Sequence, residues 1–79
     1  GDAELAAAVG AEGVEVYVLY ADGEPAGFVE LDFRDKADVN LGYFGLVPHL
    51  IGHGLGAYLL AWTVDEVWRR APDRLWVHT

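Results

Sequence analysis

Apolar and polar positions alternate every second residue in the first half of the chain and recur every three to four residues in the second. Over residues 14–20, Val14, Val16, Val18 and Tyr20 share one face while Glu15, Tyr17 and Leu19 share the other, the pattern of a strand. Asp22-Gly23 supplies a turn, and Pro25 lacks an N–H for a ladder, so pairing resumes beyond it. A second strand is expected over 27–34, with Val29, Leu31 and Phe33 opposing Phe28, Glu30 and Asp32. Residues 35–38 are a polar connection to a third strand over 39–47, and the stretch 14–47 reads as an antiparallel meander. From 54 to 71 the period changes. Leu55, Leu59, Leu60, Val64, Val67 and Trp68 form a helical stripe, with Asp65, Glu66, Arg69 and Arg70 off it. Pro72 ends that helix, and residues 74–79 read as a last strand. Strand, helix and strand make a βαβ unit with a parallel pair and a right-handed crossover. The expected fold class is α/β (α+β): a mixed sheet of four strands with one main helix packed on it. Residues 1–13, rich in alanine with carboxylates at the start, read as the end of an upstream helical element.

Length and charge narrow the picture. A chain of 79 residues is one small domain. Such a chain buries about 60% of its unfolded surface, which leaves it marginal without a staple. There is no cysteine, and three scattered histidines are a poor zinc set. At 53% hydrophobic residues the chain is too apolar for disorder and is expected to be a piece of a larger domain. One helix covers one sheet face, so the other face and both sheet edges need a partner, which implies a homodimer or association with missing segments. The whole net charge of −8 falls in residues 1–38. That disfavours nucleic acid as a partner. No apolar run is long enough to span a membrane and no signal core is present, so a cytoplasmic location is expected.

The chemistry concentrates in Gly45-Leu-Val-Pro-His-Leu-Ile-Gly-His-Gly-Leu-Gly-Ala57. A strand leads to Pro48, and a loop with Gly52, Gly54 and Gly56 opens onto the helix. Glycines there let backbone N–H groups converge on an anion, helped by the orphan donors and positive dipole end of a helix N-terminus. A diphosphate fits that description. An ATP-type loop needs Lys and Ser or Thr after its last glycine, where Ala57-Tyr58 stands instead. A dinucleotide loop needs a different glycine spacing and a mostly parallel sheet.

This stretch resembles the acetyl-CoA motif of the GCN5-related N-acetyltransferases, Gln/Arg-x-x-Gly-x-Gly/Ala. Ile51 takes the Gln/Arg position, Gly54 the first glycine and Gly56 the second; Gly45-Leu46-Val47-Pro48 resembles the preceding strand end and Tyr58-Leu59-Leu60 the helix that follows. The resemblance covers residues 14–79. It departs at Ile51, which is not polar, and at Asn40, which stands near where many members carry a glutamate base. The resemblance implies an incomplete domain, lacking the N-terminal elements and the region after the family's fifth strand, which includes its usual acid, a tyrosine. It implies an acetyl-CoA donor whose pyrophosphate is cradled by residues 48–57, through Gly52, His53, Gly54, Leu55, Gly56 and Ala57. The pantetheine arm would pair with Leu46 and Val47 in a cleft between residues 44–47 and 76–79, and a bulge near 44–46 would donate to the oxyanion.

The implied reaction is direct acetyl transfer to a primary amine, on a small molecule or a peptide, by a parent protein; the 79 residues alone are expected to be inactive. Glu30 and Asp32, on one face of the second strand, are the candidates for base or water relay, though a solvated sheet face explains both as well. His53 can touch a phosphate oxygen. His49 and His78 lie near the expected cleft, and Tyr17, Tyr20 and Tyr43 read as sheet side chains. No metal site is expected. Two other classes stay open: a non-catalytic CoA-binding or interaction module of the same fold, and a small structural domain whose glycines only make a turn. The acidic first half favours a cationic acceptor.

Overall fold

A computed structural model describes residues 3–8 and 10–77; Gly1, Asp2, Val9, His78 and Thr79 lie outside the described residues. Five strands form one sheet in sequence order: β1 (Ala3–Ala8), β2 (Val14–Ala21), β3 (Glu24–Asp32), β4 (Asp38–Leu46) and β5 (Arg74–Val77). The first four are antiparallel and β5 joins β4 in parallel. One helix, α1 (Leu55–Arg69), makes the crossover and covers one face. The mixed sheet and its βαβ unit match the expected class.

The helical reading of residues 1–13 is corrected. Ala3–Ala8 is a strand, in register with β2 from Ala3↔Ala21 to Ala8↔Val16. Alanine favours helix locally, but six residues are too few to hold one in water, whereas the outer edge of β2 offers a ready ladder. The residues opposite Leu19 and Tyr17 are Leu5 and Ala7, so β1 also extends the face that meets α1, where Ala3 and Leu5 pack on the core.

The core lies between that face and α1. Leu19, Val29, Leu31, Val39 and Leu41 from the sheet meet Leu59 and Val67 of the helix. The buried line on α1 is Leu59, Thr63 and Val67, rotated from the expected stripe, while Leu60 and Trp68 are exposed. Thr63 is tolerated there because its hydroxyl donates to the Leu59 carbonyl at 2.8 Å. Trp62 packs edge-on against Tyr17 with ring centroids 4.7 Å apart. Asp38 fixes the register of β5: it accepts from Arg74 at 2.7 Å and from the Trp76 indole at 3.3 Å. Both partners lie on β5, whose described pairs run along Asp38–Leu41 of β4.

Candidate functional site

Among the described residues the register of β4 with β5 runs from Asp38↔Arg74 to Leu41↔Val77, and no described strand flanks residues 42–46 on that side. Of the expected cleft between 44–47 and 76–79, Trp76 pairs with Asn40 and Val77 with Leu41, and His78 and Thr79 lie outside the described residues. Amide directions along residues 42–46 follow from one bond. Val47 donates to the Ala26 carbonyl at 2.8 Å, which turns Val47 toward β3. Alternation along an antiparallel ladder then turns Gly45 the same way and aims the peptide groups of Leu46 and Phe44 at the open edge. The Val47 N–H is committed to Ala26 and its carbonyl accepts from Leu50 at 2.9 Å.

The strand is also bulged, at a position different from the expected 44–46. Glu30 pairs with Tyr43 and Leu31 with Leu41, leaving Gly42 as the extra residue. The site is tight: a Cβ on Gly42 would sit 3.1 Å from Glu30 Oε2, so the Glu30 side chain would have to shift by a few tenths of an ångström. A lone glycine inside a strand pattern was the available signal for this bulge.

β4 feeds directly into the loop. Pro48–Leu50 is a single 3-10 turn closed by Leu50 and Ile51 amides on the Val47 and Pro48 carbonyls. Gly52 and Gly54 follow with φ of 94° and 79°, values that L side chains rarely adopt. Gly54 is the N-cap of α1, with no capping side chain and no carboxylate in the first turn. The first helical bond runs from Tyr58 N to Gly54 O at 3.1 Å, so the amides of Leu55, Gly56 and Ala57 have no acceptor within the helix. His53 is exposed, and its own amide turns back to the Leu50 carbonyl at 3.3 Å, so of the expected donor set its backbone is the least free. Gly56 lies against the end of β4: a Cβ there would be 3.2 Å from Leu46 Cδ1. Among the described residues, the outward edge of β4 beyond Leu41 and the uncapped start of α1 are joined by the glycine loop, and both present backbone amides without a described partner.

The two acidic candidates separate. Asp32 is held by its neighbour Arg34, whose Nε lies 3.0 Å from both carboxylate oxygens and whose backbone amide adds a bond of 2.9 Å. Those bonds hold the Asp32 carboxyl below the usual range. Glu30 has no hydrogen bond or salt bridge among the described residues. It lies on the sheet face away from α1, cross-strand from Val16 and Tyr43, with its carboxylate leaning over the Gly42 bulge. His49 and Tyr43 are exposed. Among the described residues no cluster suited to a metal ion exists, and no helix is long and apolar enough to cross a membrane.

At the other end of α1 polar side chains pair with one another. Arg70 reaches Glu15 through two nitrogens at 2.6 and 2.7 Å, Glu66 at 2.9 Å and the Tyr17 hydroxyl at 3.3 Å, with its guanidinium 4.0 Å above the Phe33 ring. Tyr17 donates in turn to Glu15. Hydrogen bonds from Arg70 hold the Glu15 carboxyl below its ordinary range against the opposing effect of burial. Burial also opposes ionisation of Glu66, but Arg70 and Arg69 prevail and lower it. Burial, then the Glu15 bond, raise the Tyr17 phenol.

Comparison with known proteins gives a consistent answer. The acetyltransferase (GNAT) family matches residues 2–79. No curated relative matches the chain. The solved GNAT family acetyltransferase from Elizabethkingia anophelis with acetyl-CoA bound is 18% identical, with a TM-score of 0.79 over 86% of this chain and 44% of that one. The IAA acetyltransferase from Bacillus cereus is 24% identical, with a TM-score of 0.77 over 86% of this chain and 45% of that one. The ribosomal-protein-S18-alanine N-acetyltransferase from Escherichia coli is 25% identical, with a TM-score of 0.78 over 86% and 43%. The chain spans less than half the length of each of these solved relatives. With the family matched over residues 2–79 and the sheet, crossover and glycine loop in place, the chain belongs to the GNAT acetyltransferase family.

Proposed function

We propose that this chain is the donor-binding core of an acetyl-CoA-dependent N-acetyltransferase that acts on a primary amine by direct attack. The observation that carries the reading is the continuity of donors from the open edge of β4 to the uncapped start of α1. In this reading the CoA pyrophosphate takes the amides of Leu55, Gly56 and Ala57, where the helix dipole favours an anion. Gly52 and Gly54 keep the loop clear of side chains, and the exposed His53 imidazole flanks the phosphates. The pantetheine arm lies along residues 42–46 as an added strand, using the outward peptide groups of Leu46 and Phe44. Pairing holds the thioester still beside the Gly42 bulge, where the ladder is locally broken and backbone N–H groups can meet a developing oxyanion.

Glu30 is the group in reach to take the ammonium proton, directly or through one water. The neutral amine then attacks the thioester carbon; a C–N bond forms and the C–S bond breaks. The nitrogen gives up its second proton to the departing thiolate, so CoA leaves as the thiol. Asn40 cannot serve as the base, because an amide does not accept a proton at neutral pH. A non-catalytic CoA-binding module with the same fold is the second reading, favoured by the amide at Asn40. Calorimetric titration with acetyl-CoA tests the donor site. Thiol release with an amine present separates the two readings: transfer supports the enzyme, and binding without transfer supports the module. Self-association belongs to the same proposal, through the outer edge of β1, which carries Glu4 as its sole charge among Ala3–Ala8.

A further inference from the structure

Along α1, Tyr58, Trp62, Glu66 and Arg70 stand four residues apart and form one row beside the buried line of Leu59, Thr63 and Val67. That row reaches toward the first two strands of the sheet. Arg70 binds Glu15 of β2 at 2.6 Å, with Glu66 as a second acceptor, and the Trp62 ring meets Tyr17 of β2. Tyr58 reaches furthest. Its hydroxyl donates to the Ala3 carbonyl of β1 at 3.3 Å, joining residues 55 positions apart in sequence. Ala3 pairs with Ala21, and with a methyl on each strand no long side chain keeps the phenol from the backbone there.

Tyr58 stands where the helix is least held by its own sequence. Gly54 caps α1 without a side chain, and the amides of Leu55, Gly56 and Ala57 have no acceptor within the helix. The Tyr58 amide makes the first helical bond, to the Gly54 carbonyl at 3.1 Å. One residue therefore closes the first turn through its backbone and ties it to the sheet through its side chain. The strand at the other end of the tie is weakly held too. β1 is six residues long and mostly exposed, with Ala3 and Leu5 packed on the core.

We infer that Tyr58 is a positioning residue for the donor: by pinning the first turn of α1 to β1, it couples the docking of that strand to acetyl-CoA binding. This rests on the reading of the helix start as the pyrophosphate site, and it adds how the fold holds that site in place. An anion at Leu55, Gly56 and Ala57 needs three amides converging on one point. A turn free to rock on its glycines presents them that way for only part of the time, which weakens binding by that fraction. The Tyr58 bond removes the freedom. Linkage makes the effect reciprocal, so a donor that favours the pinned turn favours the docked strand by the same factor.

The test is amide hydrogen exchange of the isotope-labelled protein, with and without saturating acetyl-CoA, in the parent and in Tyr58→Phe. In the parent, acetyl-CoA should slow exchange of the β1–β2 ladder amides about threefold, within the range of one hydrogen bond. Tyr58→Phe keeps the ring; it should abolish that slowing and weaken acetyl-CoA binding in calorimetry by the same factor. Leu5→Ala loosens β1 through packing alone, so it should speed exchange there and keep the slowing by acetyl-CoA. A merely structural Tyr58 would change the denaturation midpoint and leave affinity and slowing at their parent values, which would overturn the inference. So would exchange in β1 that ignores acetyl-CoA, or a slowing shared equally by the β2–β3 ladder, since that reports global stabilisation. Neither outcome bears on the donor site while the amides of Leu55, Gly56 and Ala57 shift on titration. Silence of those amides in a folded parent would contradict the donor site and the coupling with it.

Discussion

The two ends of α1 differ in how their polar groups are used. At the C-terminal end, Arg70, Glu15, Glu66 and Tyr17 satisfy one another over the Phe33 ring. At the N-terminal end, the amides of the first turn, the outward edge of residues 42–46 and the Glu30 carboxylate lack partners of that kind among the described residues. Paired groups hold the helix on the sheet, and in the proposed reading the others serve the donor and the amine. The contrast predicts that substitutions at one end change stability without changing binding, and that substitutions at the other do the reverse.

The largest effect is expected from Arg70→Ala. It leaves Glu15, Glu66 and Tyr17 without their common donor and should cost about 1–2 kcal/mol of stability by chemical denaturation, discounted for a guanidinium that still meets water. Its affinity for acetyl-CoA should stay unchanged. Next is Gly54→Val, which forces a β-branched residue into a φ of 79° at the donor loop. Acetyl-CoA affinity should fall at least tenfold, or about 1.4 kcal/mol. An equal loss of affinity in Arg70→Ala would break the comparison.

Acid sharpens it further. The folded-state carboxyls of Glu15 and Glu66 lie below their ordinary values. Their contribution is therefore fully present above the unfolded pKa of about 4.5 and is lost as pH falls through the lower, folded-state values. Denaturation midpoints between pH 7 and pH 3 should show this loss, and Arg70→Ala should show less of it. The smallest effect is expected from Asp32→Asn, since that carboxylate is occupied by Arg34 on an exposed surface: the rate of acetyl transfer should not change, whereas Glu30→Gln should lower it.

How far the sequence reveals these two ends follows from the range of the interactions involved. Period-two alternation and the Asp22-Gly23 turn are local signals, and three strands form in this stretch; the second, expected over 27–34, runs instead over Glu24–Asp32, because the tight turn lets Glu24 and Pro25 pair with Ala21 and Tyr20. The glycine loop is local as well, and Gly52 and Gly54 have the positive φ that the spacing implied. β1 was illegible because its alanines carry a helical preference, and only the free edge of β2 outweighs it. The Arg70 cluster was illegible for a similar reason, joining residues 55 positions apart in sequence. Asp32 and Glu30 are equivalent on the strand pattern. Arg34 and the Gly42 bulge distinguish them, and both depend on where side chains settle in three dimensions.

The most direct measurement is an acetyl-CoA titration of the uniformly labelled protein, following every backbone amide. The amides of Phe44 and Leu46 on the open edge, together with Leu55, Gly56 and Ala57 at the helix start, should shift in one saturable step, and those around Glu15, Glu66 and Arg70 should not move. Saturable binding that bypasses residues 42–46 and 54–57, or no binding at all by a folded protein, would contradict the assignment of this end of the molecule as the donor site.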